Sequence, residues 1–465
     1  MKSEDFEGGS LKFEPAVSKA DRYELGKALR KQCSREEQGI FIPNEKRDPI
    51  KTIISSGKGR IEELLPIKYG RMMESPFAFY RGSAGVMAAD LSNTHSTGLN
   101  LQICGDCHLM NFGGFATPER KMVFDINDFD ETAIAPWEWD VKRLAASFVI
   151  GGKWRGYTQN QSEEAAWMVA NSYRQHMAEY AEMSALQVWY SQLDLEKLIR
   201  AGRNKELRKF RLKRLEKAVG RADHEKEFAK LSFLQGHRAR IKDDPPLIYH
   251  SGSLLEEEEL MDNFNGAFKK YLQTLPHERQ ILLNRYKVHD LAMKVVGVGS
   301  VGSWCGIALF MSATGEPLFL QIKEAFKSVL EPYTAKSEFK NNGQRVVIGQ
   351  RLMQSASDIF LGWTEGSAGR HFYIRQLRDA KVKPLLEMMG GDDFSGYARA
   401  CAWALARAHA RAGDASVLKG YMGNSEEFED AITKFSIAYS GQTDKDYEAL
   451  LTAIKKGKIE VRQEV

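Results

Sequence analysis

Three oxygen-bearing side chains at close spacing, Asp106, Asn111 and Asp128, are the residues in this chain best suited to chemistry. They lie in Gly105-Asp106-Cys107-His108-Leu109-Met110-Asn111 and in Phe124-Asp125-Ile126-Asn127-Asp128-Phe129-Asp130-Glu131. Phosphoryl transfer needs few protein groups: a carboxylate that orients an attacking hydroxyl and takes its proton, and a pair of oxygen ligands that hold magnesium against the phosphates. Asp106 fits the first role and Asn111 with Asp128 the second, provided that the chain returns in a hairpin and sets Asp128 beside Asn111. Gly105 permits a strained backbone just before Asp106. The bland alternative has these acids capping helices or lying on a solvated turn. Asp125, Asp130 and Glu131 read as structural or solvent-facing, with a second-metal role open for Asp130.

A glycine-rich stretch, Gly297-Val298-Gly299-Ser300-Val301-Gly302, lies about 190 residues further on. Its GxGxxG pattern fits two unrelated nucleotide sites, and context separates them. A dinucleotide-binding turn follows a strand and opens a helix. Here two apolar runs follow, Trp304–Met311 and Leu318–Ile322, joined by a turn at Gly315 and ending at Lys323. Gly297, Gly299, Ser300 and Gly302 would let backbone amides approach phosphates, and Lys323 would neutralise the α- and β-phosphate oxygens. The competing reading is a glycine-bent hairpin with an exposed lysine. Glu331 and Glu338 are candidate partners for Lys323, whereas the helix expected over 344–357 carries no glutamate.

Gly105-Asp106-x-His108-x-x-Asn111 resembles the catalytic loop of the aminoglycoside and choline phosphotransferase branch of the kinase-like superfamily. Asn127-Asp128-Phe129 resembles that branch's metal-binding segment. Asp140, twelve positions on within Trp139-Asp140-Val141-Lys142-Arg143-Leu144-Ala145, matches a third element. The resemblance implies Asp106 as catalytic base, Asn111 and Asp128 as magnesium ligands, and His108 and Asp140 as structural braces. It implies ATP and Mg2+ as cofactors and an unidentified acceptor, expected to be a small molecule. In ordinary kinases the glycine loop precedes the catalytic loop; here it follows, so the resemblance implies a circularly permuted lobe order. The late helix 397–412, with Leu405-Ala406-Arg407-Ala408-His409, is similar to the helix that precedes the catalytic loop in that branch. From Ser75-Pro76-Phe77-Ala78-Phe79-Tyr80-Arg81-Gly82 through Leu144-Ala145-Ala146-Ser147, and again over 296–325 and 343–363, the chain is similar to a bacterial family known as a domain of unknown function.

The elements that must position these residues read as α+β. Residues 1–90 are expected to be mostly helical, with breaks at Pro43, Pro49, Pro66 and Pro76. A large helical lobe over 91–290 carries the catalytic loop, and a small antiparallel β lobe over 291–390 carries the glycine loop and Lys323. Helices over 391–465 complete the large lobe. Within this scheme 99–104 and 121–128 are expected to pair as a hairpin, and helices are expected over 161–183, 193–231, 256–275 and 278–293. A strand is expected over 372–377 and a helix from Tyr397 to Ala412, ended by Gly413. The fold expected from the resemblance is a two-lobed, protein-kinase-like one with nucleotide between the lobes.

Composition bounds the remaining classes. The chain has 465 residues, 43% hydrophobic and 10% aromatic, with 66 basic against 62 acidic side chains, a net +4. That balance by itself implies neither a nucleic-acid nor a membrane partner. The segment Arg200–Arg221 is basic, and Glu206, Glu216 and Asp223 are placed to neutralise it. Acids fill Met1–Asp5, where a secretory signal would be basic, and no apolar run approaches a membrane span, so a cytoplasmic location is expected. Five cysteines in no framework spacing read as reduced thiols, with Cys104 and Cys107 flanking the functional turn rather than binding zinc. The rival classes are a catalytically inactive nucleotide-binding regulator, a metal-dependent hydrolase built on the Asp cluster, and a nucleic-acid-binding protein using the basic segment. Nucleotidyl rather than phosphoryl transfer would use nearly the same groups.

Overall fold

Helix Glu138–Trp154 is the axis of the molecule: every residue from Glu138 to Gly152 is buried. Such a helix must be surrounded by others. Helices Gln159–Glu182 and Glu427–Lys455 pack along it, and Gly391–Ala412 packs chiefly on Gln159–Glu182. The computed structural model describes residues 17–220, 228, 230–236, 238–245, 247–250, 254–294, 301–377 and 381–462. Sequence sets the helix ends: Thr158 and Gln161 form a reciprocal capping box at the start of Gln159–Glu182. Trp137 fills the centre of the bundle, stacked on Tyr173 at 5.7 Å between ring centroids and on Phe428 at 5.7 Å.

The first part of the chain is a run of short helices, among them Lys19–Ala28, Pro49–Ser55, Leu65–Met72, Pro76–Gly82 and Ala84–Leu91. Pro49, Pro66 and Pro76 stand in the first turn of their helices, where a missing N–H costs nothing, so they start helices rather than break them. Arg47 is a partly buried staple between this region and the last long helix, donating to both Asp90 and Asp446.

The strands form small antiparallel sheets. The largest has six strands in the order Gly362–Glu365, His371–Gln376, Pro317–Glu324, Cys305–Ser312, Tyr286–Lys294 and Ile248–Tyr249. The turn between Cys305–Ser312 and Pro317–Glu324 uses Gly315 at φ +83°, as the sequence suggests. Helix Asn342–Met353 packs beside the edge of this sheet.

Three expectations fail. Strand Asn100–Ile103 pairs with Ala133–Pro136, not with 121–128. The hairpin partner of Met122–Ile126 is Phe112–Ala116, on the near side of the loop, with Lys381–Val382 on its far edge. The short strand Phe112–Ala116 contains two glycines, which weakened its signal. The helix expected over 278–293 stops at Leu283, and Tyr286–Lys294 is a strand. Pairing with Cys305–Ser312 buries Leu291 and Ala292 and overrides the local helical pattern. The helical run expected over 193–231 is broken as well, into Leu195–Arg200 and Lys205–Gly220. Among the described residues no helix is long and apolar enough to cross a membrane.

Candidate active site

The loop between Ile103 and Phe112 is held from below. Gly105 has φ +82°, and a Cβ there would collide with the carbonyl oxygen of Glu131; only glycine fits. Asp140, in the first turn of the axial helix, accepts from the backbone N–H of Cys104 at 2.7 Å and of Gly105 at 3.0 Å. His409 from the late helix sets Nε2 3.3 Å from Asp140, and Tyr173 contacts its other ring nitrogen at 2.8 Å. Tyr397 of the same helix donates to the Leu109 carbonyl at 2.6 Å. The helix expected over 397–412 spans Gly391–Ala412 and lies beside this loop, about 270 residues away in the chain. Asp140 and His409 meet as structural partners.

Asp106 faces the axial helix one turn further on. Arg143, 2% exposed, places Nε at 2.8 Å and Nη2 at 2.5 Å from Asp106 Oδ1. Both bonds fall on one oxygen; Oδ2 has His108 Nε2 at 3.8 Å, beyond hydrogen-bond reach. Burial works to raise the Asp106 carboxyl, but Arg143 and Arg81 outweigh it and hold it below the usual range. His108 accepts from the Met110 N–H on Nδ1 at 3.2 Å. Burial lowers its pKa to about 3, so the ring is neutral near pH 7.

Asn111 joins the two acid segments. Its side-chain amide donates to the carbonyls of Asp106 at 3.2 Å and Asp128 at 3.0 Å. These bonds occupy the NH2 end and leave Oδ1 as the acceptor of the amide. Asp128 turns its carboxylate toward solvent, 44% exposed, and receives the Asp130 N–H at 3.3 Å. One amide oxygen and one accessible carboxylate meet the preference of magnesium for hard oxygen ligands without crowding the site. The donor set therefore fits the ion.

Lys323 reaches this segment from the six-stranded sheet. Its ammonium, 4% exposed, pairs with Asp130 and lies 3.7 Å from Asp128 Oδ2. Tyr373, directly opposite Lys323 across the strand pair, donates to the other Asp130 oxygen at 2.7 Å. Burial pushes Asp130 up, yet Lys323 and Tyr373 prevail and hold it at about 2. Asp128, with Lys323 no closer than 3.7 Å, is pushed up by desolvation and by the adjacent Asp130 charge. Gly302 is left-handed at φ +88°, and its carbonyl accepts from the Ile61 N–H at 2.7 Å. Gly297, Gly299 and Ser300 lie outside the described residues.

Sequence reasoning missed several members of this site. Asp130, read as structural or as a second-metal ligand, is the partner of Lys323; Glu331 and Glu338 make no ion pair with it. The available signal was Asp-x-Asp, two carboxylates on one face of an extended segment. Arg143 was foreshadowed by its place three residues after Asp140, hence on the same helix face. Helix Asn342–Met353 supplies an arginine in place of a glutamate: buried Arg345 donates to the carbonyls of Thr132 at 2.5 Å, Asp130 at 2.7 Å and Phe326 at 2.9 Å. Asp125 is not at the solvent face at all, since it pairs with fully buried Arg407 at 2.8 Å. Glu131 is likewise tied inward, accepting from the Val329 N–H at 2.7 Å. Cys104, Cys107 and Asp140 have ligand atoms within 4.8 Å of one another. Burial lifts the Cys104 thiol well above its usual value and Cys107 to about 11, which keeps both protonated, and Asp140 is already engaged by amides.

Compared with known proteins, residues 60–453 match the family model described as an uncharacterized protein conserved in bacteria (DUF2252). No curated protein and no solved structure matches.

Proposed function

We propose that this chain, which belongs to the DUF2252 family conserved in bacteria, is a Mg·ATP-dependent phosphotransferase of kinase-like, circularly permuted architecture acting on a small-molecule acceptor. The observation that carries the reading is the meeting of Lys323 with Asp128 and Asp130, since it places a buried ammonium from the sheet beside the acid segment of the helical part. On this reading the six-stranded sheet is the small lobe, the helical bundle is the large lobe, and nucleotide lies between them.

The roles follow from the chemistry of each group. Asp106 orients the acceptor hydroxyl and accepts its proton through Oδ2, while Arg143 fixes the carboxylate through Oδ1. A lowered pKa does not disqualify it, because a loose transition state asks the carboxylate to position the nucleophile more than to deprotonate it early. Asn111 and Asp128 would hold magnesium, which when bound neutralises charge on the transferring phosphates. Lys323 binds phosphate oxygens once Asp130 shares it. Asp140 and Arg345 hold the two loops in place.

The second reading, a nucleotide-binding regulator without turnover, draws on the same contacts: Lys323 is already neutralised by Asp130, and Asp106 by Arg143. Release of phosphate or labelled product from γ-labelled ATP separates the two. Magnesium-dependent turnover that falls by about 100-fold or more in Asp106→Ala and Asp128→Ala is the expected result. ATP binding without turnover supports the regulator, and turnover unchanged in Lys323→Ala supports a metal-dependent hydrolase instead.

A further inference from the structure

Helix Lys205–Gly220 carries a row of lysines at four-residue spacing: Lys205, Lys209, Lys213 and Lys217. All four are exposed, because Leu207, Leu215 and Ala218 turn the opposite side of the helix inward. Residues four apart lie one above another on a helix, separated by about 6 Å along the axis, so the row spans about 18 Å. Charge runs of this kind are usually solvated faces laced with i,i+4 ion pairs. This one is not: among the described residues, no cation from Arg203 to Lys217 forms an ion pair, and Glu206 and Glu216 neutralise none of the four lysines. Asp223 lies outside the described residues.

The arginines on the helix have other work. Arg208 donates to the Gly202 carbonyl at 3.2 Å and Arg214 to the Lys383 carbonyl at 3.4 Å, and Arg211 is partly buried. They dock the helix, and the lysines are left facing outward. Beside the row stands Phe210, 41% exposed.

We propose that this lysine row, with Phe210, is a docking surface for a single strand of nucleic acid. An axial step of about 6 Å between successive lysines of the row is comparable with the separation of successive phosphates on an extended strand, so one lysine can meet one phosphate. An aromatic ring beside a cationic track offers a stacking face for an unpaired base. A membrane surface is the less suitable occupant, because the apolar side of the helix is turned into the protein rather than toward a bilayer. The proposal is independent of the nucleotide reading given above.

The test is fluorescence anisotropy of the full chain with a labelled oligothymidylate of about 20 nucleotides, from about 50 to about 200 mM salt. The expected result is binding at low salt that weakens steeply as salt rises. Replacing Lys205, Lys209, Lys213 and Lys217 together with Gln keeps helix propensity close to that of lysine. It should weaken binding by about tenfold or more and reduce the salt slope by about 3. Phe210→Ala should weaken binding with the slope unchanged, and both variants should keep the wild-type Tm. No binding at the lowest salt, equal affinity in the quadruple variant, or binding to anionic lipid vesicles but not to the oligonucleotide would each overturn the proposal.

Discussion

At the scale of single residues, the candidate site works by sharing charge among few groups. Asp130 is held ionised by Lys323 and Tyr373, while Asp128, two positions away, remains accessible and easier to protonate. On the proposed reading the two carboxylates are thereby divided between a partner for the lysine and a ligand for magnesium. His108 illustrates the opposite case, a ring kept neutral by burial. Its folded-state pKa of about 3 lies below the unfolded value near 6.5, so the unfolded chain takes up a proton that the folded one refuses. Stability should therefore fall as pH drops through 6.5 toward 3, by up to about 1.4 kcal/mol per pH unit from this group. Urea unfolding at a series of pH values should show a smaller acid loss in His108→Gln than in the parent. Equal acid losses in the two proteins would rule out this assignment.

At the scale of elements, the decisive device is the turn at Gly105. It joins strand Asn100–Ile103 to the loop that carries Asp106, in a left-handed conformation pressed against the Glu131 carbonyl. Gly105→Ala should cost about 1–2 kcal/mol from backbone conformation alone, and the clash adds to this and moves Asp106 off Arg143. Denaturant unfolding measures the first effect, and unchanged stability would contradict it. Much of this region was legible in the sequence, because a glycine before an acid, an asparagine five residues later and an aspartate after a strand are local patterns. The pairing of strands was less so. Phe112–Ala116 has glycines where a strand usually shows branched residues, so the hairpin partner was assigned to the wrong side of the loop. Tyr286–Lys294 looks helical by itself and becomes a strand only through Cys305–Ser312, which begins eleven residues beyond its end.

At the scale of the whole molecule, the claim is that two distant stretches make one site. Local pattern named both stretches and Lys323, but not what Lys323 touches, since Asp130 and Tyr373 are chosen by the way sheet and bundle pack. Arg345 was invisible for the same reason: its three carbonyl acceptors come from two separate loops. Such contacts depend on tertiary geometry, which no spacing rule encodes. The most direct test of the central claim is calorimetric titration with Mg·ATP of the parent, Lys323→Met, Asp128→Asn and the double variant. The account predicts binding by the parent, a loss of about tenfold or more in each single variant, and a double variant well short of the product of the two losses. A parent that does not bind Mg·ATP, or a Lys323→Met variant that binds it as tightly as the parent, would contradict the account.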